Sequence, residues 1–171
     1  MRFNEKSFYL TSTIWIVVFT IGCTSNSTTR LCDTFQSYLS VADVSAKINQ
    51  ANPAGEWKKE SKKTEPSGSR PAYEFITMSG PFKISGIDGH LKLTFYNDRL
   101  MSADFSTLKG HEYIASLRLR QEKVPENAGE EITTDRRTGF RYYLDPDSAF
   151  RFTWYDKKLE AEWADWLRKY S

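Results

Sequence analysis

The sequence predicts an α+β fold, in which an antiparallel sheet of hairpins carries helices packed on one face within a single domain. Segments that alternate apolar and polar residues, as half-buried strands do, occur in two groups at residues 56–105 and 132–155. Segments with helical spacing flank and separate these groups at residues 40–48, 109–123 and 157–170. Turn residues between successive strands favour hairpins, which pair strands antiparallel.

The first predicted helix occupies residues 40–48. Ser40 and Asp43 have the spacing of a capping box, in which side chains satisfy the backbone N–H groups at a helix start. Asn52-Pro53 ends the helix, because proline cannot continue it. The polar segment at residues 56–63 is predicted to be an edge strand, since lysines on an edge discourage pairing with another chain.

The next segments are predicted to be short strands joined by turns. Residues 72–78 alternate as a strand, and Ser79-Gly80-Pro81 is predicted to be a turn before a short strand that begins at Phe82. Asp88-Gly89 predicts a hairpin turn, because this pair suits the positive φ of tight turns. The clearest alternation of the chain follows and predicts a strand over residues 90–96.

A second tight hairpin is predicted at Asn97-Asp98, with its return strand at residues 100–105. Helical spacing resumes at residues 109–123, and Pro125 ends that helix. Three strands are then predicted at residues 132–135, 140–145 and 149–155. Asp156 is placed to cap a closing helix over residues 157–170.

Length and composition indicate one ordinary globular domain. The chain has 171 residues, of which 39% are hydrophobic and 15% aromatic, enough for a core without cross-links. Acidic and basic residues are interspersed along the chain, and the formal net charge is only +2. Because nucleic-acid binding needs a basic face, this balance predicts no nucleic-acid partner.

The N-terminus has the features of a secretory signal peptide. Arg2 and Lys6 precede an apolar segment at residues 8–21, which is shorter than the ~20 residues of a membrane-spanning helix. Thr20-Ile21-Gly22-Cys23 follows and resembles the lipobox of bacterial lipoproteins, in which a small residue precedes the modified cysteine. Residues 1–22 are therefore predicted to be a signal peptide.

The lipoprotein resemblance implies that the Cys23 thiol takes a diacylglyceryl group and that acyl chains such as palmitate anchor the chain to a membrane. Residues 23–39 are then the lipidated N-terminus and tether, and residues 40–171 the globular domain. In the same resemblance, a residue other than aspartate directly after the cysteine, here Thr24, implies that the lipoprotein is released to the outer membrane. The domain would then face the periplasm. An uncleaved signal anchor and a soluble exported protein are the alternatives.

Cys32 is the second of two cysteines in the chain. If Cys23 is acylated, Cys32 is left as a free thiol. If Cys23 is not acylated, the two cysteines could close a small loop. A catalytic role would require a histidine close in space, and the place of Cys32 in the tether, just before the first helix, argues against that role.

The order of helix and hairpins over residues 40–105 loosely resembles two groups of small proteins. These are the envelope lipoproteins that assist outer-membrane assembly and the β-lactamase-inhibitor proteins, both of which pack helices on an antiparallel sheet. The resemblance implies a similar fold and assigns no binding residue.

No motif for catalysis, a metal or a cofactor stands out, and none is predicted. Asp88 and His90 could form an acid–base pair, but a turn residue beside an exposed strand residue explains them better. His111 lies at a helix start, where its neighbour Glu112 favours the helix dipole. Four aspartates could gather oxygens for calcium, although turns and a helix cap explain them: Asp135, Asp145, Asp147 and Asp156.

Aromatic and basic residues predict a candidate binding surface. Five residues are expected on strand faces opposite the main apolar rows: Tyr96, Arg141, Tyr143, Arg151 and Tyr155. Tyrosine and arginine are enriched at protein interfaces. The alternative is that a helix covers this face and makes its rings part of the core, as is also expected of Trp163.

The leading functional prediction is a non-catalytic envelope lipoprotein that binds a protein partner, or material near peptidoglycan, through its sheet. A secreted enzyme with an unfamiliar site is the first alternative, and a cleft that joins His90 or His111 to carboxylates would favour it. An inhibitor or immunity-type protein against a periplasmic enzyme is the second, and charge asymmetry along one loop edge would favour it.

Overall fold

The computed structural model describes residues 28–147 and 149–171. Seven strands form one sheet in the order β1-β2-β3-β4-β7-β6-β5, with every neighbouring pair antiparallel. The α+β class, the antiparallel sheet and the single domain are thus confirmed. Along the chain the elements are α1 (Val41–Ala51), β1 (Lys58–Thr64), β2 (Tyr73–Ile84), β3 (Ile87–Tyr96), β4 (Arg99–Thr107), α2 (Gly110–Leu119), β5 (Glu131–Thr133), β6 (Thr138–Leu144), β7 (Phe150–Asp156) and α3 (Lys157–Tyr170).

The main core lies on one face of the sheet. Alternation along the strands places Leu91, Leu93 and Phe95 of β3 on this face, beside Phe105 of β4 and Phe152 of β7. Helices α1 and α2 cover it with one apolar stripe each: Val44 and Ile48 from α1, and Tyr113, Ile114 and Leu117 from α2.

The segment of residues 29–39 belongs to this core, which corrects the prediction of a tether that extends to residue 39. Leu31 and Phe35 are 0% exposed, and Tyr38 N–H donates to the Leu100 carbonyl at 3.1 Å. Leu100 N–H in turn donates to the Leu39 carbonyl at 2.8 Å. The polar composition of the segment concealed this packing, because two large apolar side chains are enough to anchor it. Cys23 and the predicted signal peptide lie outside the described residues.

Helix α3 lies on the opposite face, which corrects the prediction that all helices share one face. Its residues Leu159, Trp163 and Trp166 pack on a second cluster that includes Tyr73 and Tyr96. In β2 the apolar residues alternate on both sides, with Ile76 and Met78 in the main core and Tyr73 and Phe75 under α3. The alternation in β2 therefore gives each face of the sheet apolar residues on which a helix can pack.

One long strand, β2, replaces the predicted pair of strands with a turn at Ser79-Gly80-Pro81. Pairing between β1 and β2 ends at Lys58–Ser79, so Pro81 has only β3 as a neighbour, and its missing N–H is tolerated there. A Cβ on Gly80 would lie 2.8 Å from the Trp57 ring, so the glycine allows that ring to pack on the strand.

The predicted turn at Asp88-Gly89 is also corrected, since both residues lie inside β3. The turn is at Ser85-Gly86, where φ is 52° and 80°. A Cβ on Gly89 would lie 2.4 Å from the Phe105 ring, so this glycine allows close packing rather than a turn.

The second hairpin is confirmed at Asn97-Asp98, with φ of 48° and 56°. Asp98 also accepts a hydrogen bond from the first N–H of α1, at Val41.

The predicted helix caps are confirmed. Ser40 and Asp43 form the capping box of α1, and Asp156 accepts hydrogen bonds from the N–H groups of Lys158 and Leu159 at the start of α3. Helix α2 ends at Leu119, earlier than residue 123, because Gln121 takes a positive φ of 59°. None of the helices in the described part of the chain is long and apolar enough to cross a membrane.

Candidate functional site

Helix α3 covers only part of its face, and the uncovered remainder is a polar surface on β3, β4, β7 and β6. One row of this surface runs across the four strands as successive Cα partners, Lys92, Asp104, Thr153 and Arg141. The adjacent row consists of His90, Ser106, Arg151 and Tyr143. These eight residues are called the open face below.

Asp104 lies at the centre of the open face. Its carboxylate accepts a hydrogen bond of 2.6 Å from the Thr153 hydroxyl on the neighbouring strand. Burial raises the pKa of Asp104 above its ordinary value, and the hydrogen bond and the nearby charges of Lys92, Arg151 and Arg141 offset this effect only in part. The open face thus carries a partly desolvated carboxylic acid among three basic side chains.

Arg141 is held between two tyrosine rings. Its guanidinium carbon lies 5.4 Å from the Tyr155 ring centre and 5.8 Å from that of Tyr143, within the range of cation–π attraction. Its Nε is buried and has no hydrogen-bond partner among the described residues. Arg141 is therefore preorganised by its neighbours while it retains an unused donor.

The two tyrosines differ in exposure. Tyr143 is 39% exposed, whereas Tyr155 is buried and lies over Gly139, where an added Cβ would come within 2.3 Å of the ring. Burial and the Glu131 carboxylate, which is hydrogen-bonded to the phenol, raise the pKa of Tyr155. Tyr155 therefore contacts Arg141 from the buried side, whereas Tyr143 exposes its ring to solvent.

Arg151 provides the second exposed guanidinium of the open face. It pairs with Asp145 at 2.8 Å, and its side chain is 52% exposed. The Asp145 contact holds the side chain beside Tyr143, its Cα partner on β6.

Tyr96 is separated from the other four predicted residues. It lies in the cluster beneath α3, with the Arg99 guanidinium 5.3 Å from its ring centre. The structure therefore brings together Arg141, Tyr143, Arg151 and Tyr155 and places Tyr96 in the part of the face that a helix covers.

An aromatic cluster explains why α3 covers that part. Trp166 stacks on Tyr73 with ring centres 4.5 Å apart, and Trp163 stacks on Phe75 at 5.4 Å. The Trp163 indole also donates to the Tyr73 hydroxyl at 3.2 Å. The two rows of the open face are mostly polar or charged, so no apolar surface draws the helix across them.

The two histidines do not share a site with a carboxylate pair. Asp88 forms an ion pair with Lys83 at 3.2 Å, and the His111 ring packs edge-on against Phe150 at 4.7 Å. His90 is exposed beside Ser106, its Cα partner.

Cys32 is buried and free, and burial raises the pKa of its thiol to about 11. A thiol with such a pKa is protonated at neutral pH, so it is a poor nucleophile.

The four aspartates considered for calcium serve separate contacts. Asp145 pairs with Arg151, Asp147 accepts from the Ala149 N–H, Asp135 accepts from Thr29, and Asp156 caps α3. Within residues 28–147 and 149–171, no three His, Cys, Asp or Glu side chains are grouped so as to hold a metal ion.

Sequence reasoning missed Lys92, Asp104 and Thr153. Asp104 lies in the predicted strand of residues 100–105, and Thr153 in that of residues 149–155. Their contact depends on the pairing of β4 with β7, which are not consecutive in the chain. Only the sheet order reveals that they are neighbours.

Comparisons with known proteins leave the family open. No protein-family model matches the chain, and no similar curated protein or solved structure was found.

Proposed function

We propose that this chain is a non-catalytic lipoprotein of the bacterial envelope, anchored through a lipid on Cys23, and that it binds a partner protein through the open face. The observation that carries the binding proposal is the arrangement of Arg141, Tyr143 and Arg151. Two guanidinium groups and an exposed ring lie side by side on rigid strands, each held by contacts within the protein.

Rigid arginine and tyrosine side chains favour binding because little conformational entropy is lost when a partner docks. Arg151 presents an exposed guanidinium, whereas the Nε–H of Arg141 is buried within the protein. The Arg151 guanidinium suits carboxylate oxygens, which accept paired N–H groups from arginine. The partner is therefore a protein surface that carries Asp or Glu side chains beside an apolar group that packs on Tyr143.

Two features favour binding over catalysis. The open face is a surface of strands rather than a cleft, whereas small-molecule and catalytic sites are usually concave. Its one partly desolvated acid, Asp104, already accepts from Thr153 and is surrounded by basic groups instead of a second acid or a paired histidine.

Site-specific photo-crosslinking in intact bacterial cells tests the proposal. A photoreactive phenylalanine at Tyr143 is expected to give a discrete crosslinked product, because this exposed ring is proposed to pack against the partner. The same group at Ala46, which is exposed on α1 at the opposite face, is the matched control. Arg151→Glu should abolish the Tyr143 product, since it opposes the partner's carboxylates.

The outcomes separate the alternatives. The same product from Ala46, or a Tyr143 product that Arg151→Glu leaves unchanged, would refute binding through the open face. Intact mass of the membrane-extracted chain tests the anchor independently. A chain that begins at Cys23 with added acyl mass, lost in Cys23→Ser, supports it, and an unacylated chain overturns it.

A further inference from the structure

The start of the described chain is fixed against the turn between β5 and β6. Thr29 N–H donates to the Ser37 hydroxyl at 3.0 Å, and the Thr29 hydroxyl donates to Asp135 at 3.3 Å. The Thr138 hydroxyl, at the first residue of β6, donates to the Arg30 carbonyl at 3.0 Å. The chain therefore enters the domain at a defined position beside the turn of residues 134–137.

Basic side chains surround this entry position. The turn carries Arg136 and Arg137, and together with Arg30 they border a depression of about 290 Å³ that also includes Thr28, Thr29 and Asp135. Arg136 is exposed and forms no ion pair with any described residue. Arg30 is 51% exposed, although it also contacts Asp33 and Glu122. Arg137 is bound to Asp156.

We propose that this basic end of the domain docks on the anionic phospholipid headgroups of the membrane that holds the lipid. The inference rests on the proposed lipid at Cys23. Residues 24–27 separate Cys23 from Thr28. Because an extended chain spans about 3.3–3.6 Å per residue, Thr28 is never more than about 18 Å from the anchored cysteine.

Positive charge and the short tether together make this end the contact surface. Attraction to anionic lipid decays within a Debye length of about 8–10 Å, so only groups near the membrane contribute. Arg136 and Arg30 flank the entry position and lie within that zone when the domain rests on the surface. Their guanidinium groups match the phosphate oxygens of lipid headgroups.

The docked orientation has a consequence for the open face. Strand β6 runs from Thr138, at the entry position, to Leu144, and six steps of about 3.3 Å make roughly 20 Å. Tyr143 and Arg151 therefore lie at the end away from the membrane. A protein partner can reach them while the domain rests on the headgroups.

Fluorescence quenching on vesicles tests the orientation. The acylated full chain receives one fluorophore at Thr133→Cys, near the entry position, or at Leu144→Cys, at the far end. Cys32 is buried, so labelling is confined to the introduced thiol. The vesicles contain phosphatidylethanolamine and phosphatidylglycerol with a headgroup-linked spin label. Quenching is expected to be several-fold greater at residue 133 than at residue 144.

Charge-reversal variants identify the contact. Arg136→Glu should reduce the quenching at residue 133 at least twofold and remove its dependence on salt. Lys109→Glu, an exposed lysine beside the far end of β4, is the matched control and should leave it unchanged. Equal quenching at both positions, or the same quenching in vesicles of phosphatidylcholine alone, would overturn the proposal.

The mass of the same sample separates this inference from the proposed function. An acylated chain with uniform quenching refutes only the docked orientation. A chain without acyl groups refutes both the lipid anchor and the orientation that depends on it. Neither result bears on the crosslink at Tyr143, which tests the open face by itself.

Discussion

The two faces of the sheet are built differently. The main-core face is closed along its length by α1, α2 and the segment of residues 29–39. The opposite face is closed only where α3 packs on aromatic rings, and its remainder carries charged and hydroxyl side chains. Because the main core contains most of the buried apolar area, the other face can hold exposed arginines and a partly desolvated acid.

The largest expected effect is the loss of a ring from the closed face. Phe152 is 0% exposed and contacts the rings of Tyr113 and Phe140. Phe152→Ala should lower the free energy of unfolding by about 4 kcal/mol, through lost burial and the cavity left behind. Urea unfolding measures this change.

The neighbouring residue supplies the control. Arg151 directly precedes Phe152 in the chain, and its side chain points to the open face, where its ion pair with Asp145 is exposed. Arg151→Ala should change the free energy of unfolding by less than about 1 kcal/mol. If the two substitutions had similar effects, the division between a stabilising face and a free face would be wrong.

The second effect concerns Asp156, which ends β7 and caps the helix on the opposite face, α3. Asp156 is 0% exposed, accepts from Arg137 at 2.7 Å, and caps α3. Asp156→Ala should cost about 3 kcal/mol, because it leaves the Arg137 charge without its buried partner and removes the cap.

Asp156→Asn separates the two contributions. The amide oxygen still caps the helix, so this variant isolates the loss of the buried charge. Thermal unfolding of both variants measures the difference, which should be about 1 kcal/mol. Equal losses would show that the cap contributes nothing and that α3 is held by its tryptophans alone.

The sequence was sufficient to predict elements whose signals are local. The sequence alone identifies Asp156 as a helix cap and Asn97-Asp98 as a tight turn, because in each case the physical cause lies within a few residues. The alternation in residues 90–96 likewise depends only on one strand having a buried face.

The features that escaped prediction depend on contacts between distant residues. Gly89 resembled a turn residue, but it is needed for the approach of Phe105 from the next strand. Leu31 and Phe35 occur in a polar segment and are buried only because the sheet offers a place for them. Part of the open face is predictable, since alternation along one strand places Arg141 and Tyr143 on the same face. The position of Asp104 beside them follows only from the order of the strands in the sheet.

The third effect contrasts two aspartates with opposite pKa shifts. Burial tends to raise the pKa of Asp33, but hydrogen bonds from Ser85, Arg120 and Arg30 outweigh it and hold the pKa below 3.8. Its folded-state pKa is depressed, so Asp33 stabilises the protein above pH about 4, and this contribution is lost as the pH falls through the folded-state value. Asp33→Asn should therefore destabilise the protein more at pH 7 than at pH 3.

Asp104 should behave in the opposite sense. Its folded-state pKa is raised, so stability falls as the pH rises from 3.8 through the folded-state value. Asp104→Asn removes this charge and retains an acceptor for Thr153, so it should stabilise at pH 7 by up to about 1 kcal/mol. Urea unfolding at pH 3, 5 and 7 compares the variants, and parallel profiles would contradict the assignment.

The smallest expected effect on stability is at Tyr143. The ring is 39% exposed and contributes little to either cluster, so Tyr143→Ala should change the free energy of unfolding by less than about 0.5 kcal/mol. Urea unfolding beside the crosslinking assay, with the photoreactive group moved to Ser106, tests whether the crosslink is lost at unchanged stability. A loss of several kcal/mol would instead make Tyr143 part of the core. Since folding does not require an aromatic ring at this exposed position, a ring that is needed only for the crosslink would act by contacting the partner.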